Sequence, residues 1–112
     1  MKMTIDKEIE KAFEEYMEIA GLPLSRIRFG ITRKLPHAWG TTWKIGNFLA
    51  IQVSRFHLRL HPEEIEDTIA HEVAHCKTWI DRKYWGHGRP WKSVMKQFGL
   101  VPLAEKEFVI YR

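Results

Sequence analysis

The chain has 112 residues, a formal net charge of +4 and a single cysteine, Cys76. That is the length of one domain with a modest core, and it leaves no material for a disulfide framework or a four-cysteine zinc site. No apolar run approaches the roughly 20 residues that cross a bilayer, and residues 1–6 lack an apolar signal-peptide core; the expectation is a soluble protein in a reducing, cytoplasmic setting, not a membrane protein.

Charge is unevenly spread. Residues 1–20 carry six acidic and three basic side chains, whereas 21–60 carry seven basic ones and no acid. Such asymmetry suits an anionic partner such as DNA, and equally a solvated basic surface.

Ile5, Ile9, Ala12, Phe13, Tyr16, Met17 and Ala20 recur at helical spacing and predict a first helix, capped by Thr4 and ended by Gly21 and Pro23. Ile27, Phe29 and Ile31 alternate with Arg28, Gly30 and Thr32, as in a half-exposed strand. A second extended segment is expected over 38–43, a turn over 44–47 and a third strand over 48–54. Together these predict a small three-stranded antiparallel meander. Pro62, with Glu63 and Glu64 after it, is expected to open a central helix whose buried face holds Ile65, Ile69, Val73, Cys76 and Ile80. The pattern breaks over 81–88. Pro90 then starts a third helix through Trp91, Val94, Met95 and Phe98, closed by Gly99. The tail is expected to form a short strand over 107–111.

The central helix contains His71-Glu72-Val73-Ala74-His75, an H-E-x-x-H pentapeptide. Histidines four apart lie on one helix face, one turn above the other, so both imidazoles can reach one metal ion. Glu72 projects from the adjacent stripe, where it can act on water held at that ion. The pattern points to zinc-assisted hydrolysis of a peptide bond. A catalytic zinc site takes three protein ligands and leaves a position for water. His87 is the third candidate, because Gly86 and Gly88 free the backbone around it and Pro90 fixes the chain direction after it. His37, His57 and His61 are weaker candidates, since no local feature aims them at the helix. Asp67, one turn before His71, is a candidate to orient a ligand imidazole. Tyr84, Arg89 and His37 are candidates for a second oxyanion donor. Trp85, among Arg82, Lys83 and Arg89, is a candidate to stack on a nucleic-acid base or on substrate. Cys76 reads as a small buried hydrophobe.

Residues 71–100, HEVAHCKTWIDRKYWGHGRPWKSVMKQFGL, resemble the SprT-like metallopeptidases, the family of Spartan-type proteases. Two blocks carry the resemblance: H-E-x-x-H on a helix, and H-G-x-x-[WF]-[KR], which here reads His87-Gly88-Arg89-Pro90-Trp91-Lys92. The resemblance implies an α+β, zincin-like domain over residues 1–112, with one zinc ion held by His71, His75 and His87 and with Glu72 as general base. It also implies a protein substrate, associated in part of the family with DNA. Many members carry a C-terminal four-cysteine zinc ribbon; the cysteines for one are missing here, so a bare protease domain is expected. Two rival classes stay open on the residues alone. One is a non-catalytic nucleic-acid-binding module with a structural metal; the other is a metal-dependent hydrolase of non-peptide bonds, such as a nuclease.

Overall fold

The computed structural model describes residues 3–102, so the strand expected over 107–111 lies outside the described residues. Helix α1 (Ile5–Ala20) starts where Thr4 accepts a hydrogen bond from the Lys7 amide at 3.2 Å and carries Asp6 and Glu8 in its first turn. Both features satisfy the unpaired N–H groups and the positive end of the helix dipole. It ends at Gly21, whose φ of 67° is open to glycine at no steric cost. Its buried face is the expected one: Ile9, Ala12, Phe13, Tyr16, Met17 and Ala20.

Strands β1 (Ile27–Thr32), β2 (Gly40–Ile45) and β3 (Phe48–Ser54) follow, but they do not form a meander. The sheet order is β1-β3-β2, with β3 parallel to β1 and antiparallel to β2. The reason lies at the end of β3. The Ser54 hydroxyl accepts the Leu35 amide at 3.2 Å, and the Ser54 amide donates to Trp39 O at 2.7 Å. The 33–39 connection is thereby tied over the end of β3, and β2 is set down on its far side. Strand β3 is also the most apolar of the three, with Leu49, Ala50, Ile51 and Val53 buried. Such a near-continuous run belongs in the centre of a sheet, while β2, with Trp43, Lys44 and Ile45 exposed, takes an edge.

A short helix, α2 (Arg55–Leu60), follows β3 and buries only Leu58. Pro62–Glu64 form a single 3-10 turn, so the long helix α3 (Ile65–Arg82) begins three residues later than Pro62 would suggest. It packs against α1, where the Tyr16 hydroxyl donates to Glu66 Oε1 at 3.0 Å, and against β2 and β3. Helix α4 (Arg89–Gln97) places Pro90 in its first turn and covers α3 with Trp91, Val94 and Met95. Gly99, at φ 77°, closes it: the Gly99 and Leu100 amides donate to Lys96 O and Met95 O. Among the described residues, no helix is long and apolar enough to cross a membrane.

Candidate metal centre

Helix α3 is buried on more than one face, since β2 lies on one side and α4 on another. His71, Glu72 and His75 are 5%, 3% and 6% exposed. The chain leaves α3 through Lys83 in the left-handed region (φ 56°), which turns it back along the helix. Thr78 ties this return: its hydroxyl lies 3.1 Å from Ala74 O and 3.1 Å from Tyr84 O. The Tyr84 side chain then supports the next four residues. Its hydroxyl accepts the Gly88 amide at 2.7 Å, and a Cβ at either Gly86 or Gly88 would come within 2.5 Å of the same oxygen. The glycines flanking His87 are there because the loop is wrapped tightly on a tyrosine.

This wrapping delivers His87 to the helix. Its Nε2 lies 3.0 Å from Nε2 of His75 and 3.1 Å from Nε2 of His71, and the three ligand atoms all fall within 4.8 Å of one another. Trp91 forms the floor. Fully buried, it meets the His71 ring at 4.7 Å and the His87 ring at 4.8 Å, both edge-on, and its Nε1 donates to His71 O at 3.3 Å. Edge-on packing fixes the rings without occupying their nitrogens. Three imidazole lone pairs brought this close repel unless a proton or a cation sits among them. Two nitrogens bound to one tetrahedral zinc lie about 3.3 Å apart, given bonds of about 2.0–2.1 Å. Both the donor chemistry and the spacing therefore fit a single divalent metal ion.

Glu72 is held from the opposite side, by β2. The Thr42 hydroxyl donates to its Oε1 at 2.7 Å. Gly40 permits the approach: a Cβ there would stand 3.1 Å from Glu72 Cγ and 3.2 Å from Thr68 Cγ2. Residues 40–44, Glu72, His75, Trp85 and His87 line one open cleft of ≈ 370 Å³. The fixed carboxylate, two of the three imidazoles and the outer strand of the sheet thus share one space.

The remaining candidates fall in different places. Trp85 lines the cleft and stacks on Trp79 at 4.7 Å. Asp67 is half-buried, and its charge, behind those of burial and Glu66, helps to push the Tyr16 phenol up. Among the described residues lining the cleft, neither Tyr84, Arg89 nor His37 appears. The Tyr84 hydroxyl sits under the loop, Arg89 borders a hollow with Asp81, Arg82 and Ser93, and His37 is exposed in the 33–39 connection. His57 and His61 stack on Trp39, at 5.6 and 5.0 Å. Cys76 is buried, and its thiol is pushed up, first by burial and then by the Glu72 charge. An inert thiol is the result.

Sequence reasoning missed Thr42, Gly40 and the floor role of Trp91. The first two depend on strand register and carry no local signal. For Trp91 the signal was its place in the second motif block, four residues after His87.

The model of the SprT-like family matches residues 6–108, nearly the whole chain. The chain belongs to the SprT-like family, whose domains are of the metallopeptidase type and associated with zinc. No curated protein matches it.

Proposed function

We propose that this chain is a zinc-dependent endopeptidase in which His71, His75 and His87 hold the ion and Glu72 is the general base. One observation carries the reading: the cleft is lined at once by a buried, oriented carboxylate, by imidazoles of the metal-ligating cluster and by the edge of β2. A set of three neutral imidazoles suits zinc. When bound, such an ion supplies Lewis acidity, which acidifies water and polarises a carbonyl.

The chain's own groups do the rest. Glu72 takes a proton from the attacking water as the carbon–oxygen bond forms, and gives it to the departing amine as the carbon–nitrogen bond breaks. Thr42 holds the plane of that carboxylate so that it stays aimed through both transfers. Trp91 and the Tyr84-supported loop keep the three rings converged. The β2 edge pairs with extended substrate backbone, which admits many sequences. The acid-free basic stretch over 21–60 favours proteins carried on DNA as one source of substrate. A closed structural site would call for a fourth protein ligand; among the described residues the cluster comprises three.

The test is Glu72→Gln, assayed on an unstructured protein and on labelled DNA, with and without a chelator. Zinc content should stay at the parent level while proteolysis falls by about a hundred- to ten-thousand-fold, and DNA should remain intact throughout. Cleavage at the parent rate by the zinc-loaded variant would overturn the assignment.

A further inference from the structure

Strand β2 presents three consecutive residues at its outer edge, which pairs with no other strand among the described residues, and their directions alternate. Lys44 pairs with Leu49 and shares the core-side face with Gly40 and Thr42; it lines the cleft. Trp43 and Ile45 pair with Ala50 and Phe48 on the opposite face, where they are 40% and 54% exposed. Trp43 stands at the rim, lining both the cleft and the hollow on that outer face, which Ile45 and Phe48 continue. A strand added to this edge places its own side chains in the same alternation. Two of them would lie beside Trp43 and Ile45, and the one between would lie beside Lys44.

Apolar side chains beside Trp43 and Ile45 remove exposed hydrophobic surface, and a carboxylate beside Lys44 makes an ion pair. Among the described residues lining the cleft the one acid is Glu72, whose carboxylate already accepts from Thr42. The pattern reads the same in both chain directions, so it holds whether substrate runs parallel or antiparallel to β2. Resting on the endopeptidase reading for the meaning of the cleft, we propose that the β2 edge selects substrate segments of the form apolar–acidic–apolar, with Lys44 and Trp43 as the specificity-determining residues. The selected triplet sits one to three positions along β2 from Thr42, so it flanks the bond presented to Glu72.

The test separates binding from hydrolysis. Zinc-loaded Glu72→Gln protein is titrated into fluorescein-labelled nonapeptides that differ only in their three central residues, and binding is followed by anisotropy. Val-Glu-Val should bind about tenfold tighter than Ser-Lys-Ser, the combined effect of three favourable cross-strand pairs. Adding Lys44→Glu should reverse the preference at the central position, so that Val-Lys-Val outbinds Val-Glu-Val. Trp43→Ala should remove the preference for Val over Ser, and Phe56→Ala, on an exposed residue of α2, should change neither. N-methylation of the peptide amides should abolish binding, as pairing through backbone requires. Affinities independent of the triplet, a preference untouched by Lys44→Glu and Trp43→Ala, or no binding of any peptide would each overturn the proposal. If the triplet preference is found but the zinc-loaded parent cuts none of these peptides, the selecting edge stands and the endopeptidase reading falls.

Discussion

Two pairs of histidines four residues apart occur in this fold, and each is packed on a tryptophan. His71 and His75, within α3, meet Trp91; His57 and His61, at the end of α2, meet Trp39. At α3 the tryptophan is fully buried and meets the His71 ring edge-on, at 64°. The ring nitrogens are left to converge with those of His87. At α2 the rings lie flat on Trp39, at 21° and 10°. Their Nδ1 atoms are engaged locally, by Ser54 Oγ at 2.6 Å and by Glu63 at 3.4 Å. The same spacing thus gives a cluster that could hold a metal ion in one place and a surface stack in the other. Spacing supplies two donors on one face. A centre also needs a third donor carried in by a wrapped loop, here over a buried tryptophan that meets His71 and His87 edge-on and His75 at 30°.

The sharpest way to break this comparison is through the two tryptophans. Trp91→Ala opens a cavity beneath the histidines and should cost about 3–5 kcal/mol of stability. Trp39 is half-buried, and Trp39→Ala should cost about 1–2 kcal/mol. Urea denaturation in the presence of a chelator measures both without a contribution from bound metal. Equal costs would mean that the two tryptophans play the same part.

Zinc affinity, measured against a chromophoric chelator, draws the next distinction. His87→Ala should weaken it by more than the roughly hundredfold that loss of an outer-shell group brings, whereas His61→Ala should leave it within about a factor of two. Gly88→Ala keeps all three imidazoles but forces its Cβ against the Tyr84 hydroxyl, so it should weaken binding by about tenfold, as a displaced support would. An unchanged affinity in Gly88→Ala would show that the loop has slack.

How legible these regions are in the sequence follows the range of the interactions that build them. His71, Glu72 and His75 belong to one helix, and helical periodicity puts them together before any tertiary contact is known. His87 is twelve residues from His75, and paired glycines flag its approach. The first helix, its Thr4 cap and its Gly21 stop are local and read correctly. Sheet order is not local. Three strands in sequence suggest a meander, but bonds from Ser54 to Leu35 and Trp39 and from Phe56 to Arg33 carry the connection over the end of β3, with β2 on its far side. The near-continuous apolar run of β3 was the available clue that it is central. Helix α2 was missed because six residues with one buried side chain carry no readable period. Thr42 reads as one strand threonine among several, because its partner is thirty residues away and its direction depends on the pairing register.

Thr42 therefore tests whether the wall set by register matters as much as the wall set by helical spacing. Thr42→Val keeps the shape and removes the donor to Glu72 Oε1. A buried carboxylate that loses one hydrogen bond is less well fixed, by about 1–2 kcal/mol. The fall should be about tenfold in kcat, with KM and zinc content near the parent values. Thr42→Ser should restore most of the rate. A rise in KM with kcat unchanged would place Thr42 in substrate binding instead.

The smallest expected effect belongs to the second histidine pair, and it concerns pH. Burial, followed by the charges of Lys34 and His61, holds His57 below its ordinary value of 6.5. Its Nδ1 faces the Ser54 hydroxyl, which already accepts the Leu35 amide and so donates to a neutral ring. Protonation would turn Nδ1 into a donor, and the Ser54 hydroxyl would lose the ring nitrogen as acceptor for its own proton. The stability that neutral His57 contributes is complete above the unfolded value and is lost as pH falls through the lower folded one. The ring is partly exposed, so solvent reduces the effect to a few tenths of a kcal/mol. In chelator, the parent should lose slightly more stability than His57→Gln between pH 7.5 and pH 5, because every other group is common to both proteins. Melting curves at the two pH values provide the measurement, and parallel losses in parent and variant would show that the flat-stacked pair does not sense protons at all.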